Sequence, residues 1–141
     1  MQKILTIITD VRKLKMASKP ANAAQKQWMK NICEFVDQYS LGSIYGIEYD
    51  RSNYELHHVL GRSAKHNKVA IGNWFIIPVP FELHNVMSDH PDNVTHFKHN
   101  FTKRFGYQRN IFDEIRNGIQ VLQGKPVPSE EIYNAIMDTM A

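Results

Sequence analysis

The sequence predicts an α+β fold: a small strand–strand–helix unit (ββα) surrounded by helices. Three observations carry that reading. Apolar residues recur at three- and four-residue steps near both ends of the chain, the mark of helices with one buried face. Between them lies a segment rich in β-branched and aromatic residues, interrupted by turn formers. All seven histidines fall between positions 57 and 99, which concentrates imidazole in that central segment.

Each element follows in order. Met1 to Lys15 is apolar and then basic, and its pattern fits a short strand or a first helix equally. Ser18-Lys19-Pro20-Ala21-Asn22-Ala23 is a turn leading into a helix, on which Trp28, Ile32, Phe35, Val36 and Tyr39 share one face. Gly42 is expected to end it. From Gly46 to Val59 the residues Ile47, Tyr49, Tyr54, Leu56 and Val59 favour extended structure, with a turn at Asp50–Asn53. Gly61 to Lys68 is a polar, basic loop. Asn73 to Pro80 reads as a short buried strand halted by its two prolines, and a helix should start at Phe81 to Val86. Asp92 to Gly118 reads as one or two helices, broken near Gly106, with Phe97, Phe101, Phe105, Ile111, Phe112 and Ile115 turned inward. Ser129 is placed as the N-cap of a last helix with acids in its first turn.

At 141 residues, with 43% hydrophobic and 22% charged positions, the chain reads as one domain able to bury a core unaided. Its expected organisation is a single domain over 1–141, with an N-terminal extension over 1–17 and the ββα core over 44–100. One cysteine, Cys33, excludes a disulfide framework and a multi-cysteine zinc cluster; its apolar helical neighbours suggest a small buried hydrophobe. No apolar run approaches the ~20 residues of a membrane span, and Met1–Asp10 has no signal-cleavage pattern, so a soluble cytoplasmic protein is expected. A net charge of +3 permits a polyanionic partner without demanding one.

The segment that carries chemistry is Glu55-Leu56-His57-His58-Val59-Leu60-Gly61-Arg62. Neighbouring side chains on a strand point to opposite faces, so His57 and His58 serve different partners unless the strand ends there. After a loop comes Ile76 to Asn85, with His84 on the first turn of the predicted helix. A ββα unit of this order can hold a metal ion between strand and helix.

These stretches resemble the HNH branch of the His-Me finger endonucleases, and more narrowly the phage recombination-enhancement group of RecA-dependent nucleases. Ser18 to Val36 resembles that group's leading helix, Glu55 to Gly61 its paired-histidine strand, Ile77 to His84 its second histidine stretch and Phe97 to Ile115 its trailing helix. The likeness spans about positions 18 to 116. It departs at the structural zinc: Ile44-Tyr45-Gly46 lacks cysteines, and Pro80 and Leu83 stand in place of a cysteine and the first of two histidines. No structural zinc is expected, and Trp74, Phe75, Tyr45 and Phe81 should hold the hairpin by packing instead.

The resemblance implies a metal-dependent DNA endonuclease. His58 would be the general base, Asn73 the residue near the motif's middle position that orients it, and His57 and His84 the ligands of one divalent ion. Mg2+ or Mn2+ is the expected ion, although a crystal could capture Zn2+, Ni2+ or Co2+ on two imidazoles. DNA is the implied partner, with a RecA-type filament as a second one in a phage or prophage setting. Arg62, Lys65, His66 and Lys68 form either a solvated basic loop or an edge that contacts phosphate. Lys103 and Arg104, with Lys98, His99 and Arg109, either track a DNA backbone or form a solvated helix face. His90 and His96 read as helix-surface residues. The competing function is a catalytically inactive DNA-binding or partner-docking domain on the same fold.

Overall fold

The structure, a computed structural model, describes residues 20–141, so the extension expected over 1–17 lies outside the described residues. In chain order it runs α1 (Ala23–Tyr39), α2 (Gly42–Tyr45), a 3-10 turn (Ile47–Tyr49), β1 (Tyr54–His58), β2 (Lys65–His66), β3 (Val69–Ala70), β4 (Ile76–Pro80), α3 (Phe81–His84), α4 (Lys98–Phe105), α5 (Gln108–Gln123) and α6 (Glu130–Met137). The α+β class is borne out: helices predominate around two small antiparallel sheets, β1 with β4 and β2 with β3.

β4 organises the core. All five of its residues are buried, because α1 and α5 both pack against it, which is why its sequence is a near-continuous apolar run. The strand stops at Pro80 as expected, although Pro78 is carried inside it. The ladder is flanked by bonds from Val59 N to Phe75 O and from Phe81 N to Asn53 O. Alternation along the register then puts Pro78 opposite Leu56 and Pro80 opposite Tyr54 at non-hydrogen-bonded pairs. Neither missing N–H is needed for pairing with β1. The Pro78 carbonyl is used from the other side, accepting the buried Tyr45 hydroxyl at 2.5 Å.

Around β4 lie Trp28, Ile32, Phe75, Phe101, Phe112, Ile115 and Ile119, all at most 2% exposed. Phe112 meets Trp28 and Phe75 edge-on, and the Trp28 indole N–H donates to the Trp74 carbonyl. Gly118 lets α5 approach α1 closely: a Cβ there would stand 2.6 Å from the Phe35 ring.

Several local expectations are corrected. α1 starts where the turn reading placed it, with Asn22 and Gln25 forming a reciprocal capping box, but it ends at Tyr39 rather than Gly42. Ser40 takes a positive φ there and donates to Asp50, while Gly42 permits a close approach of that same carboxylate. Of the segment expected to be extended, only Tyr54–His58 is strand, because Gly46 leads into the 3-10 turn. The 61–68 loop contains β2, joined to β3 through Asn67 and Lys68, both at positive φ as a tight hairpin turn requires. Phe81 and Phe97, expected to pack inward, are 47% and 45% exposed. Cys33 is half-buried beside Tyr54. The break at Gly106 and the Ser129 cap fall as predicted.

Candidate functional site

Pleating of β1 sets the site. Glu55 and His57, two positions apart, share one face, and His58 points to the other. His84, the last residue of α3, comes to the Glu55–His57 face because α3 follows β4 directly and packs on β1. The helix is held there by Val94 N donating to the Leu83 carbonyl, and by fully buried Asn93, whose amide ties Asn85 O to the backbone N–H groups of Thr95 and His96.

His84 Nδ1 lies 2.8 Å from Glu55 Oε1, and His84 Nε2 lies 3.1 Å from His57 Nδ1. A carboxylate only accepts, so Nδ1 of His84 carries the proton and its Nε2 presents a lone pair to His57. The rings are joined by N–H···N, His57 Nδ1 donating to His84 Nε2. With His57 in its other tautomer, both facing nitrogens would present lone pairs to one ion. The donor set therefore fits one divalent ion held by two imidazoles, leaving positions for water and phosphate oxygens. Among the described residues no group of three or more histidine, cysteine or carboxylate side chains is arranged for a metal.

Burial, the neighbouring His84 and His58, and Lys98 together hold the His57 pKa down at about 4, against a smaller opposing effect of the Gln108 side chain. His57 is thus neutral near pH 7, the state a ligand requires. An amide favours an imidazolium only through its oxygen. Gln108 Oε1 is sealed from solvent and lacks a hydrogen bond of full geometry among the described residues. Because Nδ1 of His57 faces His84, the nitrogen left for Gln108 is Nε2.

On the opposite face, His58 Nε2 stands 3.2 Å from Asn73 Oδ1. The amide oxygen accepts Nε2–H, so the lone pair is on Nδ1. Burial, and secondarily Arg62, lower the His58 pKa, while Asn73 opposes them. Asn73 is buried, and it borders a cleft of about 550 Å3 that Arg62 and Lys65 also line.

The remaining sequence candidates fall into different roles. His66 bonds Asp138 at 2.9 Å, which ties β2 to the end of α6. Lys68 is an exposed turn residue. Arg104 is claimed by Glu48 and Asp92 and lies over Phe105, so it braces α4 rather than facing outward alone. Lys103, with Lys98, His99 and Tyr107, lines an open groove. His90 and His96 are not helical: His90 Nδ1 accepts Asp92 N, and His96 Nε2 donates to Val86 O. Two participants escaped the sequence reading. Glu55 had a usable signal, its two-residue spacing from His57 on a strand; Gln108, far along the chain on α5, had none.

Comparison with protein families, with curated proteins and with solved structures finds no match for this chain. No described helix is long and apolar enough to cross a membrane.

Proposed function

We propose that this chain is a metal-dependent DNA endonuclease of the HNH, or His-Me finger, type, acting in the bacterial host cytoplasm in phage recombination or DNA processing. The observation that carries the reading is the pairing of His84 with His57 at 3.1 Å, beside His58 at the end of β1, whose ring Asn73 orients. Two imidazoles form a ligand pair, and a third imidazole next to them in sequence has a bare nitrogen. The Glu55–His84–His57 contacts and the His58–Asn73 contact support that reading.

The residue roles follow. His58, neutral near pH 7, takes a proton from water as the water oxygen attacks phosphorus. The P–O3′ bond breaks, leaving a 5′-phosphate and a 3′ oxygen that is protonated by solvent. Asn73 holds the His58 ring so that Nδ1 remains the acceptor. His57 and His84 would hold the divalent ion, Mg2+ or Mn2+, which when bound supplies positive charge to the phosphate oxygens and the departing oxygen. Arg62 and Lys65 supply phosphate contacts beside the base, and a RecA-type filament is the proposed targeting partner.

The test is nicking of supercoiled plasmid with Mg2+ or Mn2+, against EDTA, with and without a RecA filament. The parent should nick only with metal. His58→Ala should slow nicking about 100-fold or more while Mn2+ affinity stays within twofold. If His58→Ala cuts as fast as the parent, the assignment is wrong. DNA binding without nicking, with or without the filament, would favour an inactive DNA-binding domain.

A further inference from the structure

The cleft between the start of α1 and the 62–73 segment presents donors without acidic partners among the described residues. Asn22 and Gln25 stand on its α1 side. Their capping box uses both side-chain oxygens: Asn22 Oδ1 accepts Gln25 N at 2.9 Å and Gln25 Oε1 accepts Asn22 N at 2.8 Å. What these side chains have left are their NH2 donors. Arg62 and Lys65 stand opposite, both exposed, and form no ion pair among the described residues. None of the described lining residues is acidic. The wall is rigid: Ala64 O accepts both Ile71 N and Gly72 N, and Gly72 is pressed against the Arg62 carbonyl. Asn73 at its inner edge connects it to His58.

We propose that this cleft binds a backbone phosphate of the nucleic-acid strand, next to the one presented to His58, through Arg62, Lys65 and the amide groups of Asn22 and Gln25. The identity of the polymer rests on the nuclease reading above; the anionic character of the ligand rests on the cleft alone. A phosphodiester offers only acceptors and one negative charge, which matches two cations and two amide donors. The edges of nucleobases mix donors with acceptors, and this lining has few side-chain acceptors to offer them. The two amides come from a helix far from the histidines in sequence, so the substrate-contacting surface extends beyond the ββα unit.

The test uses the full chain in EDTA, with fluorescein-labelled 20-nucleotide single-stranded and duplex DNA followed by anisotropy. Gln25→Glu is the informative variant, because glutamate serves the capping box as well as glutamine does. Melting temperature should be unchanged, while the new carboxylate lowers DNA affinity about fivefold. Gln120→Glu makes the same charge change on an exposed position of α5 outside the cleft and should alter affinity less than 1.5-fold. Arg62→Gln should reduce the slope of log affinity against log salt by about one. Should Gln25→Glu lower the melting temperature, the Arg62→Gln salt slope decides. Equal losses in Gln25→Glu and Gln120→Glu, an unchanged slope in Arg62→Gln, displacement by polyglutamate as effective as by DNA, or no DNA binding would each overturn the proposal. Gln25-sensitive binding without metal-dependent nicking would overturn the nuclease reading and leave the cleft; nicking with Gln25-insensitive binding would do the reverse.

Discussion

Nε2 of His84 stands 3.1 Å from Nδ1 of His57 across 27 positions of sequence, while the other nitrogen of His84 is fixed by Glu55. One ring thus links two same-face residues of β1. Glu55 decides which nitrogen of His84 carries the proton, and so which one is open to an ion.

Removing this arrangement should be felt first in metal affinity. His84→Ala is expected to weaken Mn2+ or Co2+ binding at least tenfold by calorimetry, with nicking partly regained at high metal. Glu55→Ala, which leaves both ligands in place, should cost about tenfold through loss of ring orientation. Unchanged affinity in both variants would remove the ion from this face.

Gln108 acts on the far side of His57. An ion on Nδ1 leaves the ring proton on Nε2, where the buried Gln108 oxygen is the available acceptor. Gln108→Leu should therefore lower metal affinity about tenfold while leaving the metal-free protein as stable as before, because it removes a buried polar atom that lacks a full hydrogen bond. In NMR of the metal-bound protein the His57 Nε2–H proton should move upfield in the variant, having lost its hydrogen-bond acceptor.

The depressed His57 pKa makes stability depend on pH with a defined sign. At about 4 in the folded chain against ~6.5 unfolded, the unfolded state binds more protons between these values. Stability is therefore full above about pH 6.5 and falls as pH drops toward 4, by at most roughly 3 kcal/mol from this group. The lowered His58 pKa acts in the same direction. Urea unfolding in EDTA should give a lower midpoint at pH 4.5 than at pH 7, and His57→Asn should flatten that difference.

Gly72 is needed for space. A Cβ there would stand 2.0 Å from the Arg62 carbonyl oxygen, a backbone atom that cannot rotate away. Gly72→Ala should destabilise by about 3 kcal/mol, measured by urea unfolding, and should displace the Arg62 and Asn73 segments together. Gly61→Ala meets no atom within 4 Å, so its cost comes only from the positive φ of that residue and should be smaller.

Much of the helical frame was legible because it rests on local rules. The periodic apolar face of α1, the break at Gly106 and the Ser129 cap are each set within a few residues. The end of β4 at Pro80 was legible too, but that Pro78 can be carried inside the strand has a reason that is not local. Whether a missing N–H breaks a ladder depends on which residue lies opposite, and the register that puts Pro78 against Leu56 comes from pairing across 22 residues. Phe81 and Phe97 misled the reading, since the side they present is set by how α3 and the 85–97 loop dock.

By itself the sequence determined that His57 and His58 face opposite ways, since alternation on a strand needs no partner, and that a histidine-bearing turn follows the second strand. Only the tertiary structure decided that His84 reaches the Glu55–His57 face, that Asn73 meets His58, that Arg104 is spent on two carboxylates, and that Gln108 comes against His57. Side-chain direction along a strand is a property of the backbone, whereas contacts between distant residues depend on the packing of β4 between α1 and α5, which no short window of residues encodes.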